Sequence, residues 1–192
     1  MALSTASTDS AVLIAEETSP SQTFTTFTAS TAWTLGTALR NRILSLPDSQ
    51  RKPALISIAL ATAPSGGGSL HTLFQSATDS GTIPDNENWV RRKRNTVLRW
   101  GVSSWAMRQK VISGAGSSAA DVVEAAFVKK YALASGNGGA VADEYAIHGG
   151  GYPIRIKGVE GVVAVVVVSG LKQEDDHQVV AETIREVIAQ GN

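Results

Sequence analysis

The run His148-Gly149-Gly150-Gly151-Tyr152-Pro153-Ile154 decides the reading of the chain, together with two stretches that follow it. These are Gly161-Val162-Val163-Ala164-Val165-Val166-Val167-Val168-Ser169-Gly170-Leu171 and Glu174-Asp175-Asp176-His177. A glycine turn leads into a strand from Tyr152 to Ile156. The apolar run Val162 to Val168 is continuous rather than alternating, which predicts a strand buried on both faces. Ser169-Gly170 ends it, and three acidic residues open a helix from about Gln173 to Gln190, where the helix dipole favours negative charge. Val180, Ile184, Val187 and Ile188 form the inner face of that helix.

Working towards the N-terminus, Asp143 to Ile147 reads as a further short strand. Ser135 to Gly139 is a flexible connection, and Ala119 to about Ala132 is a helix that Ser118 caps. Pro84 opens a long helix reaching Trp100, which breaks at Gly101 and resumes from Ser103 to Val111. Pro53 to Ala61 and Leu70 to Phe74 are strands around the loop Pro64 to Ser69. Thr28 caps a helix with Ala32, Gly36, Leu39, Ile43 and Leu46 on one stripe, stopped by Pro47. Thr23 to Phe27 alternates as a strand, and Ala11 to Glu17 is a short helix. Strands that follow one another closely imply antiparallel pairing, and helices clustered between them imply a sheet covered on both faces. The expected class is α+β in three layers, α/β/α. Residues 1–20 are expected to be a mostly disordered tail, and 21–192 a single domain.

Composition excludes several functions. The chain has 192 residues, no cysteine, and 17 basic against 17 acidic side chains. Disulfides, thiolate zinc sites and cysteine catalysis are impossible, and no net field draws the chain to nucleic acid or a membrane. No apolar run approaches the roughly 18 residues a membrane span needs. The Ser/Thr-rich start Met1 to Thr8 lacks the basic residues of a targeting segment, so a cytoplasmic protein is expected.

Asp85-Asn86-Glu87-Asn88-Trp89-Val90-Arg91-Arg92-Lys93-Arg94-Asn95-Thr96-Val97 with Ser103-Ser104, and then the three C-terminal motifs in order, resemble the UPF0303 family. That family lies within the haem-degrading, GlcG-like group, also known as DUF336. The resemblance covers roughly Phe24 to Ile188. It implies a profilin-like fold with a central five-stranded antiparallel sheet, and a homo-oligomer. It also implies relatives that bind haem or other tetrapyrroles.

Two functional readings follow. The first is a homo-oligomeric domain binding a small anionic ligand, haem or another tetrapyrrole, with no other cofactor indicated. Its candidate site comprises His148, Gly149, Gly150, Gly151, Tyr152, Arg92, Arg94, Ser169, Gly170 and His177. The glycines either admit a ligand close to the backbone or form a tight turn entering a strand. They match no nucleotide loop, having no Gly-Lys-Ser/Thr ending. Ser169-Gly170 resembles an anion-binding corner, but the acidic trio after it would already fill the helix dipole. His148 or His177 are the candidate axial ligands. His177 beside Asp175 and Asp176 also resembles a divalent-metal cluster. A lone histidine is more often structural, and no metal site is expected.

The second reading is a non-enzymatic oligomeric scaffold that recruits other proteins, such as chaperone-pathway components. Trp89, Arg91, Trp100 and Trp105 would form its subunit contact, since tryptophan and arginine are enriched at interface hot spots. The run Arg91 to Arg94, with Arg99 and Arg108 beyond, spreads around a helix and makes no single basic face. Nucleic acid is therefore not an expected partner. No serine or cysteine stands in a nucleophile's frame with a histidine, so an enzyme is the weakest reading.

Overall fold

A computed structural model describes residues 1–62, 70–133 and 142–191. The loop expected at Pro64 to Ser69 and the connection at Ser135 to Gly139 lie outside these residues. Six helices and five strands are present among the described residues. The helices are α1 (Ser10–Glu17), α2 (Ala29–Leu44), α3 (Pro84–Trp100), α4 (Ser104–Ala115), α5 (Ala120–Lys130) and α6 (Gln173–Ala189). The strands are β1 (Thr23–Phe24), β2 (Leu55–Leu60), β3 (Thr72–Ala77), β4 (Gly151–Ile156) and β5 (Ala164–Ser169).

The strands form one sheet in the order β1-β4-β5-β2-β3. β5 is central and antiparallel to both neighbours, with Val167 opposite Gly151 on one side and Ser57 on the other. The sheet is mixed, not wholly antiparallel as expected, because β1 pairs parallel to β4 through Thr23 and Arg155. Rapid succession of strands forces antiparallel hairpins only between chain neighbours. β1 and β4 are separated by most of the chain, so nothing local fixes their sense.

All six residues of β5 are buried. Its alternate side chains serve two cores. Ala164, Val166 and Val168 pack with Leu35, Leu39, Val180 and Ile184 of α2 and α6. Val165 and Val167 pack with Val90 and Val97 of α3. Helices therefore cover both faces of the sheet. Thr28 caps α2 as expected, its hydroxyl accepting from Thr31 N. Pro84 stands at the first turn of α3, and Asn86 Oδ1 accepts from Ile83 N at 2.8 Å. Gly101 ends α3 in the left-handed region at φ 67°, and Ser103 caps α4 through Ala106 N.

Three local expectations are corrected. Asp143 to Ile147 is no strand. Ala142–Glu144 is a 3-10 turn, and the residues after it are tied to α3 by side chains. Asn95 donates to Glu144 O at 2.9 Å, Arg92 to Tyr145 O at 3.2 Å and Thr96 to Ala146 O at 2.8 Å. Backbone groups satisfied by a helix's side chains have no need of a sheet partner. The cap of α5 is Ala119, with no side-chain bond, rather than Ser118. The N-terminal segment, expected as a tail over residues 1–20, carries α1 and buries Leu3, Ala6 and Leu13. Ser4 N and Oγ both donate to Glu182 on α6.

Candidate functional site

The basic run on α3 points four ways, as its helical spacing requires. Arg91 pairs with Glu144. The Arg92 guanidinium lies over the Trp89 ring at 4.9 Å while its Nε donates to Tyr145 O. Arg94 turns to β2 and donates to Ser57 Oγ at 3.0 Å; burial draws its pKa below the ordinary arginine value. Lys93 points inward. Its side chain is 3% exposed and its ammonium donates to Asp176 Oδ2 at 2.9 Å, Val168 O at 3.0 Å and Ser169 Oγ at 3.4 Å. Three donors meet three acceptors, so Lys93 has no proton left for a ligand.

Asp176 completes this corner. Leu171 N donates to its Oδ1 at 3.0 Å and Gly170 N to its Oδ2 at 3.4 Å. Burial raises its carboxyl above the ordinary aspartate range, against the pull of Lys93 and these N–H groups. The Ser169-Gly170 corner therefore holds a carboxylate that belongs to the chain itself, as the acidic trio implied. Gly170 is packed backbone to backbone: a Cβ there would stand 2.3 Å from Pro53 O.

The triple glycine is likewise filled by protein. A Cβ on Gly149 would lie 2.0 Å from Gln173 O, and one on Gly150 2.2 Å from Val168 O; Gly150 also has φ +115°. Gly151 is clamped by Ser104, whose Oγ accepts from Gly151 N at 3.0 Å. These glycines let β4 pass close to α6, β5 and α4. They are buried and present no open face, the packing of a tight turn that enters a strand.

Above them lies a cleft of about 400 Å³ lined by Asn86, Trp89, Lys93, His148, Ser169 and Gln173, among others. The Trp89 and His148 rings meet edge to face at 4.8 Å. His148 Nδ1 is buried without a hydrogen-bond partner among the described residues. Burial, and then the charges of Arg108, Lys93 and Arg92, pull the His148 pKa down to about 4. At neutral pH it presents a neutral imidazole in a positive field.

His177 stands elsewhere. It is 2% exposed, with its ring 5.6 Å from that of Tyr152 and 6.3 Å from that of Trp105. Burial alone lowers its pKa to about 3. Tyr152 is equally buried and its hydroxyl is pushed well above the ordinary tyrosine value, by burial first and then by Glu17. His177 and Tyr152 thus belong to the core, and Arg94 faces a different surface. Of the expected ligand residues, His148, Ser169 and Gly170 line the cleft, and Arg92 stands beside it over the Trp89 ring. Among the described residues no three His, Asp or Glu side chains converge as a metal site. No single helix is long and apolar enough to cross a membrane.

The residues expected at a subunit contact are dispersed too. Trp105 is 6% exposed and donates from Nε1 to Ser7 O at 2.8 Å, beneath the N-terminal segment. Trp100 packs on Phe127, Tyr131 and Tyr145, and Trp89 walls the cleft. Trp33, which the sequence reading passed over, is 66% exposed.

Lys93 and Asn86 were also missed as site residues. A signal for Lys93 existed: it falls at i+3 from Val90 and i−4 from Val97, on the apolar stripe of α3. A charge on such a stripe demands a buried partner.

The chain and its fold are similar to those of known proteins. Residues 27–185 match the family model described as "Haem degrading protein HbpS-like". A UPF0303 protein of Sinorhizobium medicae is 36% identical over 165 residues, spanning 86% of this chain and 82% of the relative. A UPF0303 protein of Streptomyces coelicolor is 33% identical over 192 residues, spanning 98% and 100%. The chain belongs to the UPF0303 family, within the HbpS-like group. Among solved structures, the Ybr137w protein superposes with a TM-score of 0.72 at 28% identity, covering 94% of this chain and 88% of that one. HbpS superposes at 0.55 with 18% identity, covering 85% and 91%, a likeness of fold.

Proposed function

We propose that the chain binds a small anionic ligand in the Trp89–His148 cleft, and that the ligand is haem or another tetrapyrrole. The observation that carries this reading is His148 at the wall of the cleft: a neutral imidazole, edge-on to an indole, in a field set by arginines and a lysine. A neutral imidazole is the protonation state an iron or a hydrogen-bonding ligand needs. The cleft of about 400 Å³ falls within the roughly 300–1,000 Å³ usual for small-molecule sites. The residues present fit a haem: His148 would supply the axial nitrogen, Trp89 an apolar wall and Arg92 charge for a carboxylate. Bound haem would bring a redox-active iron.

The test is an absorption titration of the purified protein with haem, with each sample passed over a sizing column with light scattering. A saturable one-site Soret shift on a defined species supports the reading. Titration that never saturates, or that matches free haem, removes it.

A second reading, a non-enzymatic oligomeric scaffold, is favoured by one observation. Trp33 is 66% exposed and packs edge-on at 5.7 Å against Phe74 of β3, an edge strand of the sheet. An exposed indole beside an unpaired strand edge suits association with a second copy. Light scattering of Trp33→Ser against the parent tests it.

A further inference from the structure

We infer that the groove between β1 and the β4–β5 turn is a second ligand site, built for a free small molecule with an apolar body and a single carboxylate, of the medium-chain fatty acid kind.

The groove encloses about 710 Å³, against about 400 Å³ for the Trp89–His148 cleft, and the two share no lining residue. A volume of this size is usual for a small-molecule site. The cleft lies where β5 ends, at Ser169 and Gly170, beside the start of β4. The groove lies where β4 ends, at Ile156. The length of β4, roughly 17 Å at about 3.3 Å per residue, separates them.

Two turns make its shape. β1 pairs with β4 only through Thr23 and Phe24, opposite Arg155 and Ile156, and Lys157 N donates to Phe24 O at 2.8 Å. The chain then reverses through Gly158 and Gly161, at φ +78° and +87°, a backbone that favours glycine. A Cβ on either would meet nothing within 4 Å. The turn therefore stands clear of the body of the protein, unlike the packed glycines of the cleft. Ile156 and Ile188 line the groove half-buried, and Val159 on the turn lines it while 50% exposed. Exposed apolar surface gathered at a groove marks a binding site more than scattered surface residues do.

Charge sets the ligand's head. Arg155 and Lys157 both line the groove. Arg155 donates to Gly161 O at 3.2 Å and Gly101 O at 2.6 Å, and its Nε is buried without a partner. Neither cation is in an ion pair; among the described residues those pairs take up Arg42, Arg51, Arg91, Lys93 and Arg185. Glu160, on the exposed turn, is the one carboxylate in the lining. Two cations against one carboxylate leave one positive charge unmatched. The register that sets Phe24 beside Ile156 carries Thr25 next to Lys157. Thr18 and Thr23 already donate their hydroxyls to Ile14 O and Ser19 O. The Lys157 ammonium and the Thr25 hydroxyl are thus the donors left for a carboxylate. A phosphate, with about −1.5 to −2 charge at pH 7, would exceed the single charge on offer.

The test titrates the full chain with octanoate, following backbone amide resonances by NMR, with hexanoate and decanoate for length, octanol for a neutral head and acetate for a head alone. Octanoate should shift Thr25, Gly158 and Gly161 saturably and leave Trp89 and His148 unmoved. Each added methylene should tighten binding roughly three- to fourfold until the groove is filled, and acetate should not saturate. Octanol should bind more weakly than octanoate. Lys157→Gln should weaken octanoate roughly two- to fivefold, the range of an exposed ion pair, and leave octanol unchanged. Val159→Ser should weaken both. Each of these two side chains is exposed, so neither variant threatens the fold; Arg155, which ties two loops, is left intact. Shifts that never saturate, or that fall on Trp89 and His148 instead, overturn the site. Equal binding of octanoate and octanol, or octanoate binding unchanged in Lys157→Gln, overturns the carboxylate. Haem binding at the cleft is read separately and bears on neither outcome.

Discussion

His148 and His177 look alike in titration, and each has a buried Nδ1 without a partner among the described residues, yet their surroundings differ. The first is drawn down to about 4 and the second to about 3. His177 is depressed by burial alone, among Trp105 and Tyr152. His148 is half-buried, and three cations add to the effect of burial. A low histidine pKa is therefore no mark of a site by itself. What distinguishes the two is the source: an apolar wall on one side, and a charged, open cleft on the other. The two regions touch at Gly149, whose added Cβ would stand 2.0 Å from Gln173 O and 3.3 Å from the His177 Cβ.

The largest effect should come from breaking that shared wall. Gly149→Ala has backbone rather than a flexible side chain in its way, so a loss above about 4 kcal/mol is expected. Soluble yield and thermal unfolding would read it; a variant with the parent's Tm would mean the turn can shift.

Next is the ion pair beneath the cleft. Lys93→Met leaves the Asp176 carboxylate buried with only N–H partners. Urea unfolding should show a loss of roughly 3–5 kcal/mol, and adding Asp176→Leu should restore much of it. Equal instability of single and double variants would show that the pair does more than balance charge.

The core side has its own titrating group. Glu17 is 2% exposed and accepts from Ser103 N at 2.9 Å; burial raises its pKa from 4.5 to about 7. A raised carboxyl binds more protons in the folded state. Its contribution is thus full below pH 4.5 and falls as pH rises towards 7, by roughly 3 kcal/mol on the scale of 1.36 kcal/mol per pH unit. Glu17→Gln should remove that fall, leaving a variant more stable than the parent at pH 8 and similar to it at pH 4. A parallel pH profile in both proteins would contradict the burial of Glu17. The histidines act in the opposite sense. Both bind fewer protons when folded, so their stability contribution is present above pH 6.5 and is lost on acidification, towards about 4 for His148 and about 3 for His177. His177→Leu should flatten stability between pH 6 and 3 more than His148→Gln does.

The smallest effect belongs to Trp33→Ser. At 66% exposure it should alter monomer stability by less than about 0.5 kcal/mol. Any change should appear in light scattering instead.

Much of this frame was legible in the sequence. The continuous valines of β5, the Pro84 start and Gly101 stop of α3, and the Thr28 cap state local rules that the fold obeys. The parallel pairing of β1 was not legible, because it joins segments far apart in the chain. Nor was the 142–147 segment, where α3 side chains replace a strand partner. At the site, the sequence displayed His148 and Arg92 but could not separate His148 from His177. Burial depends on which helix covers each histidine. It hid Lys93 inside a basic run, although its place on the apolar stripe of α3 marked it.

The central claim is that the two histidines have different roles, and one comparison tests it most directly. Haem titrations of the parent, His148→Ala and His177→Leu should be run side by side. The account predicts a saturable Soret shift in the parent and in His177→Leu, and its loss in His148→Ala with the fold intact by circular dichroism. A shift that survives in His148→Ala, or that disappears only in His177→Leu, would contradict it.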